Sequence, residues 1–238
     1  MADIELRSDL TVDLVKHSAG DADVIWAARV STKGERSQED IGADPERSAG
    51  LINFLMRDRH GTPFEHSTMT FYVHAPIFVF REFMRHRTFS YNEESGRYRQ
   101  LDPVFYVPDA DRKLVQTGKP GAYEFSAGTP DQHRLVLDSA REAYHQAYSA
   151  YLAMLEAGVA REVARIVLPV GLYSSMYTTC NARALMNFLS LRVQSAEAAY
   201  PTFPQREIEI VAEKMEAAWA AHMPLTHAAF VRNGRVAP

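Results

Sequence analysis

Apolar positions along this chain change their period several times, and each change marks an element. Residues 69–75 alternate, which puts Met69, Phe71, Val73 and Ala75 on one face of a strand, and Pro76 then opens a short helix running to about Arg85. From Pro45 to Arg59, Leu51, Ile52, Leu55 and Met56 recur at helical spacing, with Asp44 before Pro45 as a start signal and Gly61 just past the end. Thr129, Pro130 and Gln132 compose an N-cap, a first-turn proline and a capping box for a long helix that reaches about Glu156 and is closed by Gly158. A further helical stretch covers Arg161 to Leu168 until Pro169 interrupts it, and residues 170–179 suit an extended chain. Asn181 caps a helix over 181–194, and a last amphipathic helix spans about Pro204–Met223. These elements predict an α+β fold: one helix-rich domain over 1–238 with a small, mostly antiparallel sheet. Residues 108–128, with Pro, Gly and charged side chains, read as an exposed insertion, and 224–238 as a peripheral tail.

On the Asn181 helix the period sorts the residues further. Leu185, Met186 and Leu189 form an apolar arc, while Arg183, Asn187 and Leu191 fall on one opposing stripe.

Composition narrows the class. With 46% apolar and 24% charged residues over 238 positions, the chain can bury a core, which excludes disorder, collagen-like structure and a disulfide scaffold. A formal net charge of −4 counts against a general nucleic-acid binder. No run is apolar for the roughly 20 residues needed to cross a bilayer. The start lacks a basic and apolar secretory pattern, and Cys180 is the single cysteine, so a cytoplasmic protein is expected. Of 26 basic residues, 21 are arginine, and seven of those lie between Arg57 and Arg99 together with four of the nine histidines. Coding bias accounts for the arginine-to-lysine ratio but not for that density.

The dense segment is Arg85-His86-Arg87-Thr88-Phe89-Ser90-Tyr91-Asn92-Glu93-Glu94-Ser95-Gly96-Arg97-Tyr98-Arg99. It lacks the period of a helix or a strand over most of its length, which points to an ordered binding loop. Guanidinium forks match phosphate oxygens in pairs, and serine and glycine let backbone amides come close to an anion, so phosphorylated small molecules are the natural ligands. The plainer alternative is a surface loop whose arginines pair with Glu93 and Glu94. Ser95 has no legible activating base and reads as a binding residue rather than a nucleophile. Cys180 reads as packing. His60, His66, His74 and His86 with Glu65 show no metal-ligand spacing; His66 reads as a core histidine and His74 as solvated. Tyr91, Tyr98 and Phe89 read as packing supports for the loop.

The spacing Arg85-His86-Arg87, seven residues, Ser95 resembles the signature of the flavin-dependent thymidylate synthases. Similar segments recur at Ala28-Arg29-Val30-Ser31, at His60-Gly61-Thr62-Pro63-Phe64-Glu65-His66, at Ala164 to Pro169, and from Asn181-Ala182-Arg183 through Asn187 to Arg192. The resemblance implies that family's fold and an enzyme converting dUMP to dTMP, with noncovalent FAD, methylenetetrahydrofolate as carbon donor and NADPH as reductant. It implies FAD contacts from Ser31, His60, Thr62, Arg85, His86, Arg87, Glu93, Asn181, Ala182, Arg183 and Asn187. It implies dUMP contacts from Glu82, Arg85, Glu93, Glu94, Ser95, Gly96, Arg97, Arg165 and Arg192, with Arg192 beside the uracil as the catalytic residue. It also implies a homotetramer with sites shared between chains, and neither a nucleic-acid nor a membrane partner. Two alternatives stay open: a noncatalytic RNA-binding protein using loop 85–99, and a flavin reductase that has lost synthase activity.

Overall fold

The computed structural model describes residues 3–42, 44–119 and 121–238. In chain order the elements are β1 (Glu5–Arg7), β2 (Thr11–Ser18), α1 (Asp21–Lys33), α2 (Ala49–Arg57), β3 (Thr68–Pro76), α3 (Ile77–Phe83), β4 (Ser90–Glu93), β5 (Val104–Tyr106), β6 (Val115–Lys119), β7 (Ala122–Ser126), α4 (Pro130–Glu156), α5 (Arg161–Ala164), β8 (Tyr173–Cys180), α6 (Ala182–Arg192), α7 (Arg206–His222) and α8 (Pro224–Arg232). Short 3-10 segments occupy Gly34–Asp40, Glu46–Ser48, Thr62–Glu65 and Arg165–Val167. The architecture is α+β and helix-rich, as the sequence predicts. A four-stranded sheet has the order β2-β3-β8-β4, β6 pairs antiparallel with β7, and β1 pairs parallel with β5. No described helix is long and apolar enough to cross a membrane.

The contacts along the chain cluster into two compact units. Of the described residues, the first holds 3–11, 74–84, 93–119 and 121–176. Its core gathers Leu101, Phe105, Tyr148, Tyr151, Ala164 and Leu172. Helix α4 starts as its sequence requires: the Thr129 hydroxyl accepts the Gln132 N–H at 3.2 Å, and the Gln132 side chain accepts the Thr129 N–H at 2.8 Å. Three of its tyrosines then reach the 101–106 segment. Tyr148 donates its hydroxyl to the Leu101 carbonyl (2.9 Å), Tyr151 accepts the Leu101 N–H (3.3 Å), and Tyr144 donates to the Tyr106 carbonyl (2.9 Å). The expected insertion, apart from Pro120, which lies outside the described residues, is the largely exposed β6–β7 hairpin and its flanks.

Of the described residues, the second unit holds 12–42, 44–73, 85–92 and 177–238. Its core includes Ile25, Ile52, Met56, Phe64, Phe71, Phe188, Trp219 and Phe230. On β3, Met69, Phe71 and Val73 are fully buried, which is the face their alternation selects, and on α6 so are Leu185, Met186 and Leu189. Several boundaries differ from the sequence reading by a few residues. Helix α2 ends at Arg57 because Arg59, at φ 64°, takes the left-handed position that Gly61 was expected to mark. Residues 224–238 are not peripheral: α8 buries Thr226 and Phe230, and Arg235 is buried beside Glu216. The start of α8 is capped from far away in sequence, since buried Asp21 accepts the N–H groups of Leu225 (2.9 Å) and Thr226 (2.8 Å) and the Thr226 hydroxyl.

Candidate active site

Helix α6 carries candidate residues at both of its ends. At the start, the Asn181 side-chain oxygen accepts the Ala184 N–H at 2.8 Å, and the Ala182 N–H donates to the Ser67 hydroxyl at 3.1 Å. Two of the N–H groups freed at a helix start are therefore held by side chains, so Asn181 and Ala182 act here as cap and capped group. Arg183 follows. Its Nη1 meets the Glu65 carboxylate at 2.5 Å and its Nε donates to the main-chain oxygen of Pro238 at 2.7 Å. The guanidinium lies across Gly61, where an added Cβ would fall 2.5 Å from Nε and Cζ. One turn on, exposed Asn187 donates to the Arg183 carbonyl at 3.1 Å. His60 and Thr62, both exposed, flank Gly61. The structure thus brings Arg183 over Gly61, between His60 and Thr62 in sequence, with Asn187 one turn further along α6. Ser31 sits on α1, which packs against the 62–65 turn, and bonds its hydroxyl to the Ala28 carbonyl at 2.9 Å.

The other end of α6 lies nine residues on, roughly 14 Å along the axis at 1.5 Å per residue. There Arg192 donates its Nε–H to the Nε2 of His86 at 3.1 Å. His86 is 8% exposed, with its ring edge-on to Phe188 at 4.8 Å. Burial, and then the Arg192 charge, pushes its imidazole down to about 4, so the ring is neutral. The two arginines on either side, Arg85 and Arg87, are exposed. The motif is therefore split: two guanidinium groups face solvent and one imidazole faces the interior. Part of the segment read as a loop is the strand β4. The Tyr91 hydroxyl, from that strand, donates to the His86 carbonyl at 2.8 Å.

In the first unit, Glu93 to Arg97 and Arg165 form a second cluster. Burial pushes the Glu93 carboxyl up, against the opposing pull of the Ser174 hydroxyl and of Arg165, with Glu94 adding to the rise. Glu94 pairs with Arg99 at 3.0 Å. The Ser95 hydroxyl accepts the Arg97 N–H at 3.3 Å, and its carbonyl accepts the Tyr98 N–H at 3.0 Å, so the serine shapes a turn. Gly96 is buried. A Cβ there would fall 2.8 Å from Leu101 Cδ1 and 3.3 Å from Arg165 Cδ, so the absent side chain lets the stem of Arg165 lie close. Arg97 meets Glu162 at 3.0 Å, an exposed pair of little energetic weight. Glu82 is half-buried on α3.

Several partners were not singled out from the sequence: Glu65 and Pro238 for Arg183, Ser174 for Glu93, and Glu162 for Arg97. Glu65 lies inside a quoted motif, but its task needs the fold to bring α6 beside it. Cys180 is buried and its thiol is pushed up by that burial, which removes nucleophilic character. His66 is exposed against the edge of Trp26, contrary to the expected core placement, because the 62–65 turn buries Phe64 instead. His74 is half-buried against Tyr173 rather than solvated, and burial lowers its pKa.

The model of the family described as thymidylate synthase complementing protein matches residues 13–225. A flavin-dependent thymidylate synthase of Streptomyces coelicolor is 70% identical over 236 residues, covering 99% of this chain and 96% of the relative. One from Tropheryma whipplei is 59% identical over 231 residues, covering 97% and 96%. Among solved structures, a UMP/dUMP methylase, PolB of Streptomyces cacaoi, bound with 5-Br dUMP, matches with a TM-score of 0.93 at 58% identity, covering 99% of this chain and all of that one. The same protein bound with 5-Br UMP matches at 0.91 and 56%, covering 99% of each. With a family match over most of its length and relatives this close, the chain belongs to the thymidylate synthase complementing protein family.

Proposed function

We propose that this chain is a flavin-dependent thymidylate synthase that converts dUMP to dTMP, using methylenetetrahydrofolate as carbon donor and NADPH as reductant. The observation that carries the reading is the 70% identity to the Streptomyces coelicolor enzyme over nearly both chains. The side-chain chemistry supports it. Exposed Arg85 and Arg87 are guanidinium groups of the kind that bind phosphate oxygens, and Arg183 is fixed over Gly61, where no Cβ fits. His60 and Thr62 flank Gly61 in sequence, and Asn187, Ser31 and Glu93 join the FAD set by resemblance. Bound FAD would supply the hydride chemistry.

The protein's own part is binding, orientation and electrostatics. Because the cap of α6 already holds the Ala182 and Ala184 N–H groups, recognition of the cofactor's phosphates falls to guanidinium side chains rather than to the helix start. Ser95, Gly96, Arg97 and Arg165, with Glu82, Glu93, Glu94 and Arg85, would hold the nucleotide, whose phosphate suits the planar forks of the arginines. Arg192 would stabilise negative charge that develops on the uracil, a fixed donor aimed at the transition state. Family resemblance supports a cytoplasmic homotetramer with shared sites.

One mixture tests the reading: protein, FAD, NADPH, dUMP and methylenetetrahydrofolate, assayed for dTMP. Folate-dependent dTMP formation is expected. NADPH oxidation with no dTMP would overturn it in favour of a flavin reductase, and a protein that cannot be loaded with FAD would overturn it altogether.

A further inference from the structure

We propose that His86 is a positioning residue for Arg192: its Nε2 accepts the Arg192 Nε–H and so sets the plane in which that guanidinium points. The inference rests on the reading of Arg192 as the residue beside the uracil, and goes beyond it by giving His86 a task other than touching a ligand.

The geometry carries the argument. Arg192 is the last residue of α6, and its long side chain has many rotamers to lose. Its Nε sits at the root of the planar guanidinium, so a partner there fixes rotation of the whole fork. An arginine N–H only donates, so the Nε2 of His86 must be the unprotonated nitrogen and the ring proton lies on Nδ1. The imidazole is itself packed against aromatic rings. Phe188 meets it edge-on at 4.8 Å, Phe89 lies at 6.2 Å, and its carbonyl is held by the Tyr91 hydroxyl and the Phe89 N–H. It is 8% exposed, whereas its neighbours Arg85 and Arg87 face solvent. Burial keeps it neutral down to about pH 4, so the acceptor persists across any working range. A residue whose only task was to contact a bound ligand would not require this internal support.

Binding of dUMP to the FAD-loaded protein, measured by calorimetry, and dTMP turnover test the proposal. His86→Phe keeps a ring and removes the acceptor; it is expected to weaken dUMP binding and turnover at least tenfold per bound flavin. His86→Gln, whose side-chain oxygen reaches the place of Nε2, is expected to recover most of that loss. Combined with Arg192→Ala, the His86→Phe change should add nothing. Additive losses, or a His86→Gln variant as impaired as His86→Phe, would overturn the inference alone. An Arg192→Ala protein that binds dUMP and turns over normally would instead overturn the underlying assignment of Arg192, and this inference with it. If His86→Phe does not fold, the wild-type protein decides: nitrogen-15 spectra should show His86 as the Nδ1–H tautomer at neutral pH, and an Nε2–H tautomer would overturn the proposal.

Discussion

Arg183 lies directly across Gly61, with the guanidinium in the volume that any Cβ at residue 61 would claim. Gly61→Ala therefore places a methyl 2.5 Å from Arg183 Nε and 2.7 Å from the Pro238 main-chain oxygen. The arginine end can swing away, but the backbone oxygen cannot do so as freely. We expect the variant to fold, at a cost of about 1–3 kcal/mol, and to bind FAD at least tenfold more weakly, read as flavin absorbance and by titration. Unchanged FAD affinity would remove Arg183 from the cofactor set.

Arg192 has the opposite signature. Arg192→Ala should leave FAD retention near that of the wild type while lowering dTMP formation by roughly 100-fold or more, the usual effect of deleting one fixed donor at a developing charge. The check is dTMP formed per bound flavin. Normal turnover would reject the catalytic assignment.

Acid stability should report on Glu216. Burial alone would raise its carboxyl, but hydrogen bonds from His227 and Arg235 outweigh burial and hold it at about 2. Its contribution is therefore fully present above the ordinary glutamate value of 4.5 and is lost as pH falls through about 2. The gap corresponds to about 3 kcal/mol. Glu216→Gln should destabilise the protein by that order in urea unfolding at neutral pH, and the difference should shrink steadily below pH 4.5.

Arg59 holds a φ of 64°, with the His60 N–H reaching back to the Leu55 carbonyl at 2.9 Å. A left-handed non-glycine residue costs about 1–2 kcal/mol, part of which glycine would return to the unfolded chain as entropy. Arg59→Gly, at an exposed position, should raise stability by about 0.5–1 kcal/mol. A melting temperature below that of the wild type would count against the strain.

How far the sequence went can be traced element by element. The cap and capping box of α4, the Asn181 cap of α6 and the alternation of β3 are local signals, and each formed where it was read. The unread elements lack local signals. β2 is mostly exposed, so its residues show little alternation, and α1 starts at a glycine with no side-chain cap. The short α8 takes its cap from Asp21, which no window around residue 224 contains. The candidate site follows the same division. The arginine motif was legible as a pattern, but the burial of His86 against Phe188, and its bond to Arg192, depend on the end of α6 lying beside it.

The bond from Thr226 to Asp21 spans 205 positions. During synthesis from the amino end, the Asp21 carboxylate stays hydrated until Thr226, 205 positions later, has emerged. Because contacts between distant positions slow folding, closure of the second unit is expected to be a late event. A chain stopped short of Thr226 would carry the whole arginine motif and yet leave Asp21 without its partner.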